Sequence, residues 1–314
     1  MLENLDWGLP VISYLFLAGL GAGAAVMSGA VLLHGGPTGW HFSLARYGAL
    51  LAPIPVAIGS GLLVLELGSF QAGHMFKFLN LYKLINLSPM SIGTWLLTVF
   101  LIASVIYAYT YARPGAKFDD AFKDLRRVMA WIMIPLGLGV AIYTGMLLGA
   151  MPSRPFWNSP VLAMLFLLSA LSTGVAGMML MRALFHDRSL SPDEDRQGGY
   201  ILTSADTVFI SLEILILFMF IMFAHLTVGD VGYAITVILG GSLTNMFWIG
   251  VVIFGLLIPA LIEIKYIFPK LLHHRQFTVP HRLEIAVPVI VLSGGFLLRY
   301  VIVVAGQITG PVGI

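Results

Sequence analysis

The sequence predicts an all-α, polytopic membrane protein with eight transmembrane helices, and three observations carry that prediction. Hydrophobic residues make up 59% of the 314 residues and charged residues only 10%, against about 25% charged in soluble domains. Mean hydropathy is +0.94. Eight apolar runs reach the roughly 20 residues that a helix needs to cross a hydrocarbon core: about 9 to 33, 46 to 68, 90 to 112, 128 to 150, 160 to 184, 202 to 227, 240 to 268 and 284 to 309. A formal charge of +2 is too small to point to a nucleic-acid partner, and the partner it does imply is membrane lipid. The absence of cysteine excludes disulfides, thiolate zinc and cysteine-ligated iron–sulfur clusters in this chain.

The N-terminus MLENLDWG is acidic and lacks the basic region of a cleaved signal peptide, so the first run is read as a retained span. That span carries Gly19 and Gly23 in a GxxxG spacing within AGLGAGAA, which lets another helix approach its backbone. Ser69 to Ser88 does not span; its phenylalanines, with Lys77 and Lys83 between them, predict an interfacial helix on the outer face. Residues 117 to 127 are a short charged connection. The fourth span, Val128 to Ala150, holds one polar pair, Tyr143-Thr144, among some twenty apolar residues. Pro10-Val11 and Leu15-Phe16-Leu17 recur 150 positions later as Pro160-Val161 and Leu165-Phe166-Leu167. Such a repeat divides the single membrane domain, 1–314, into four-helix halves, 1–150 and 151–314.

Lys and Arg accumulate on the cytoplasmic side. The loops after spans 1, 3, 5 and 7 hold one, five, three and four cations; the other side holds only Lys77, Lys83 and Arg154, and Arg299 lies inside span 8. This asymmetry predicts an inner-membrane protein with both termini outside.

Topology converts residue numbers into depth. Tyr143 lies roughly 10 Å and Tyr14 roughly 7 Å below the outer face. Glu66, His225 and Gln307 sit at or above that level. Glu213 lies roughly 20 Å and Arg299 roughly 15 Å down, where an acid and a base are costly unless paired. Asp206 precedes Glu213 by seven residues, on the same helical face and nearer the inside. A bis-histidine haem needs two imidazoles facing each other inside the bundle. Only His34 and His225 lie near span ends, on opposite faces, so no haem and no metal is expected.

In their order along nearly the whole chain, Trp7 with YLFLAGLGAG (Tyr14 to Gly23), SPMSIG (Ser88 to Gly93), AIYTGMLL (Ala141 to Leu148), FLLSALSTG (Phe166 to Gly174), Glu213 and LRYVIVVAGQ (Leu298 to Gln307) resemble the NrfD/PsrC family, the membrane subunits of polysulfide reductase and formate-dependent nitrite reductase. The resemblance implies a haem-free anchor that oxidises menaquinol near the outer face, beside a ferredoxin-like iron–sulfur subunit and a molybdopterin catalytic subunit. Tyr143 stands where the family's quinone-site tyrosine stands. Tyr14 replaces a histidine of one member, and Ser69-Phe70 after Glu66-Leu67-Gly68 replaces an Arg-Pro pair. The expected quinone contacts are Tyr14, Glu66, Tyr143, Thr144 and His225, with Tyr143 central to the chemistry. Asp206, Glu213, Arg299 and Gln307 are the expected proton path. The competing reading is a proton-coupled transporter or pump using Glu213, Arg299 and Asp206.

Overall fold

The computed structural model describes residues 7–36, 39–67, 88–112, 120–151, 153–187, 189–227, 230–273 and 276–309. The helices are α1 (Leu9–Gly35), α2 (Gly39–Leu51), α3 (Pro53–Leu67), α4 (Pro89–Ala112), α5 (Asp120–Gly149), α6 (Pro160–Leu184), α7 (Pro192–Leu226), α8 (Asp230–Leu239), α9 (Ile258–His273) and α10 (His281–Ile308). A π-helical segment, Met246–Leu257, leads directly into α9. Among the described residues eight helical stretches are long and apolar enough to cross a membrane. The predicted interfacial helix, 69–88, lies outside the described residues apart from Ser88.

Four span starts differ from those the hydropathy predicts. The second span starts at Gly39 rather than near 46 and steps at Ala52, where Pro53 opens α3. Its first turns, GWHFSLAR, are polar and read as a loop, yet the Ser43 hydroxyl finds an acceptor in Asp187 at 2.7 Å. The sixth span starts at Pro192, ten residues early. Ser191 and Glu194 form a reciprocal capping box that begins the helix in polar sequence. The seventh is preceded by the short α8 and starts at Met246, after a turn through Gly240 and Gly241. Residues 120–127, expected in a charged connection, are the first two turns of α5.

The bundle is built around α1. In its apolar window 83% of residues are buried, against 44% for the span containing Tyr143. Hence the first span, not the fourth, is the central one. Helix α1 touches α2, α3, α5, α6 and α10. Its glycines explain how one helix meets so many others. A Cβ on Gly21 would lie 2.5 Å from the Ala52 carbonyl oxygen, and one on Gly23 would lie 2.7 Å from the Ala170 carbonyl carbon. Backbone-to-backbone packing at this range admits only glycine, and in lipid such close van der Waals contact drives association. Pro10 and Pro160 stand in the first turns of α1 and α6, and these two helices pack on each other.

Candidate functional site

At the end of the bundle where α1, α4 and α6 begin, the two phenols singled out by depth come together. Tyr14 is fully buried and Tyr143 nearly so, and they lie close enough to interact electrostatically. Helix α4 contributes Gly93, against which the Tyr143 phenol rests; any Cβ there would overlap the ring. Helix α3 contributes Gly59, whose Cβ position is 3.3 Å from the Tyr14 Cα. Among the described residues the buried Tyr14 hydroxyl has no hydrogen-bond partner. A phenol in that condition costs free energy unless something outside the chain bonds to it.

The other expected contacts are placed differently. The Thr144 hydroxyl donates to the Ala141 carbonyl of its own helix at 2.7 Å. The backbone of Glu66 closes α3, and its side chain lies outside the described residues. His225 is exposed in the last turn of α7, whose partners include α6, α8 and α9. Gln307 joins the two ends of the protein: its Oε1 accepts from the Trp7 amide at 2.9 Å and its Nε2 donates to the Trp7 carbonyl at 3.1 Å. Arg154 donates to the Gln307 carbonyl at 2.8 Å, and Trp157 donates to Ile302 O at 2.9 Å while stacking near Trp7.

A second polar constellation runs through the half built from α6, α7, α9 and α10. Arg299 is completely buried beside Gly19, and it ties three helices. Its Nε donates to Leu15 O at 3.2 Å, and its Nη1 to Gly295 O at 2.8 Å and to the Ser169 hydroxyl at 3.1 Å. Glu213, also buried, reaches the same Ser169 hydroxyl. Arg299 and Glu213 thus attract each other across a serine, and among the described residues no ion pair joins them directly. One turn along α6 the Ser172 hydroxyl donates to Asp206 Oδ1 at 2.8 Å. Asp206 in turn neighbours Glu263 of α9, which accepts from Thr207 at 2.9 Å. At the far end Arg182 holds Asp195 through two hydrogen bonds, 3.0 and 2.8 Å, and Glu284 at 3.4 Å.

The sequence placed Asp206, Glu213 and Arg299 but not Ser169, Ser172, Glu263 or Arg182. The two serines were visible in FLLSALSTG, three residues apart and so on one face. Glu263, in LIEIKY within the seventh apolar run, was not singled out. Among the described residues no group of three His, Asp or Glu stands ready to hold a metal.

The family described as "Polysulphide reductase, NrfD" matches residues 1–311. A polysulfide reductase polypeptide of Wolinella succinogenes is 30% identical over 97% of this chain and 95% of its own length. Protein NrfD of Escherichia coli is 29% identical over 98% and 96%, and a selenate reductase subunit of Mesobacillus selenatarsenatis 22% identical over 82% and 66%. Together with the eight apolar helices, this coverage makes the protein a multi-pass integral membrane protein, and the chain belongs to the NrfD/polysulphide reductase family.

Proposed function

We propose that this chain is the quinone-reactive membrane subunit of a respiratory molybdopterin oxidoreductase acting on polysulfide, sulfur or a related acceptor. In this reading it oxidises menaquinol near the outer face and passes electrons to a ferredoxin-like iron–sulfur subunit. The observation that carries it is the buried Tyr14–Tyr143 pair with the unpartnered Tyr14 hydroxyl. Such a donor fits a quinone oxygen, as does the phenol of Tyr143 beside it. A bound quinol supplies two electrons and two protons. The two hydroxyls orient the headgroup and hold hydrogen bonds to its oxygens, and Glu66, in the last turn of α3, is the residue that takes up protons. With no cysteine in the chain, the electrons need a cluster held by another subunit. The relatives are named as single members of polysulfide and selenate reductases, which supports such a partnership.

Tyr143→Phe removes one hydroxyl and leaves the ring on Gly93. The complex assembles, and quinol-linked activity falls at least tenfold, about 1.4 kcal/mol of transition-state stabilisation. Activity with an artificial dye feeding the outer subunits persists. Normal quinol turnover in this variant defeats the reading.

The buried row from Arg182 to Arg299 favours a second function, proton transfer across the bilayer. The two are compatible when quinol chemistry draws protons along the row. Both depend on orientation: a reporter fused after Ile314 is active only outside the cytoplasm if the loop cations face inward. A cytoplasmic C-terminus would move Tyr14 and Tyr143 to the inner leaflet.

A further inference from the structure

Asp206 and Glu263 are two acids without a base. Asp206 is fully buried and Glu263 is 2% exposed. One oxygen of each is accounted for, since Asp206 Oδ1 accepts from Ser172 and Glu263 Oε2 accepts from Thr207. Among the described residues the other two, Asp206 Oδ2 and Glu263 Oε1, are buried with no donor, although the carboxyls are within hydrogen-bonding reach of each other. Two ionised carboxylates are acceptors only, so nothing already bonded in the protein closes this contact; one proton does.

Among the described residues no ion pair reaches either carboxyl. The guanidinium of Arg182, which lines the same cavity as Glu263, is engaged by Asp195 and Glu284. Arg299 lies beyond Glu213, about two helical turns further along. Glu263 also borders a cavity of about 20 Å³ shared with Arg182, Thr203, Tyr266 and Glu284, room for one water. Polar groups on three sides of that cavity give the water partners.

We propose that Asp206 and Glu263 form a one-proton binding site, a carboxylic acid paired with a carboxylate, which is loaded through the cavity at the Arg182 end of the bundle. Its use as the loading point for the row rests on the proton-transfer reading above; the site itself does not. The steps balance simply. A proton from solvent enters through the cavity, where a water passes one proton on to the Glu263 carboxylate and takes up another, so the water is unchanged and the carboxylate is neutralised. The proton then passes within the pair, leaving Glu263 ionised and Asp206 as the acid, hydrogen-bonded to Ser172. No electrons move.

Infrared spectroscopy of the purified complex reads this directly, because a protonated carboxyl has a carbonyl stretch that carboxylates lack and that shifts in heavy water. Glu263→Gln and Asp206→Asn each exchange the acid of the pair for an amide of the same shape. The pair keeps one negative charge, and the amide N–H replaces the proton as donor, so both variants fold. The wild type at neutral pH shows a carboxylic-acid band that is missing from both variants. A band of equal intensity in all three, or no band in the wild type, overturns the proposal. Val287→Phe, which fills the cavity from α10, slows deuterium exchange of the band at least tenfold; an unchanged rate overturns the cavity as the route. Neither measurement uses quinol, so failure here is distinct from normal quinol turnover in Tyr143→Phe.

Discussion

Gly23→Leu abolishes accumulation of folded protein in the membrane, to below about a tenth of the wild-type level, a loss of about 1.4 kcal/mol or more. The cause is the crossing of α1 and α6. A Cβ on Gly23 meets Ala170 backbone atoms, its carbonyl carbon at 2.7 Å, and the Cα of Leu171 at 3.2 Å. From the other side, a Cβ on Gly174 would be 2.7 Å from the Gly23 Cα. Backbone has no rotamer to yield, so a side chain here separates the helices. Overpacking of this kind costs about 1–3 kcal/mol even where side chains adjust. Separation also draws Leu15 O away from Arg299 and spreads the damage to α10. Gly61 is the control: among the described residues nothing lies within 4 Å of its Cβ position, so Gly61→Leu leaves the level unchanged. Detergent extraction followed by size-exclusion of a fluorescent fusion measures both, and equal recovery of Gly23→Leu and wild type would refute the packing argument.

The GxxxG spacing that makes this variant severe was legible in the sequence, and its meaning was only half so. Gly23 serves helix packing, whereas Gly19 makes room for the Arg299 guanidinium. Spacing alone does not separate the two uses. The spans themselves were legible because lipid demands long apolar runs. Hydropathy does not distinguish a lipid-facing leucine from a protein-facing one, however. This is why the central place of α1 in the bundle was not legible among eight apolar runs. The helix starts at Gly39 and Pro192 were hidden in polar sequence, since a capping box and a side-chain hydrogen bond do not depend on apolar content.

At the candidate site, depth counting brought Tyr14 and Tyr143 to one level, and the bundle brings them into one another's field. The same counting grouped His225 and Gln307 with them. Depth is one coordinate of three, and these residues differ in the other two: His225 is exposed on α7, and Gln307 is clamped to Trp7. Asp206 and Glu213 were correctly put on one face by their seven-residue spacing. Glu263 was not reachable this way, because its partner sits on a different helix 57 positions away. First-half polar groups were missed for the same reason. Tyr107, for example, meets Ser28 at 3.0 Å and Tyr111 at 3.2 Å, under the buried Arg126.

Neutralising Arg299 has the larger effect of the two charge removals at the centre of the row. Arg299→Gln cuts the ties to Leu15 O, Ser169 and Gly295 O and strands the buried Glu213. Removing the cation that offsets a buried acid, together with three hydrogen bonds, costs on the order of a few kcal/mol, enough to remove most of the folded protein. Glu213→Gln is milder, because the guanidinium keeps three oxygen acceptors and the Ser169 hydroxyl keeps a neighbour. In the double variant Glu213→Gln with Arg299→Gln no charge is left unpaired, so assembly recovers relative to Arg299→Gln alone. What the double variant then does separates structure from transport. If the pair only fixes helix register, quinol oxidation and proton movement return with assembly. If the pair carries protons between Asp206 and the Tyr14 end, the complex assembles and proton movement is lost. The second result is expected, because Ser169 stands between the two charges and Ser172, one turn away on α6, bonds to Asp206. Glu213 and Asp206, the buried carboxyls of the row, thus each have an exchangeable serine hydroxyl beside them, one turn apart on α6. Proteoliposomes with a pH-sensitive dye trapped inside give the readout. Unchanged turnover and unchanged proton movement in the assembled double variant would show that the row is structural.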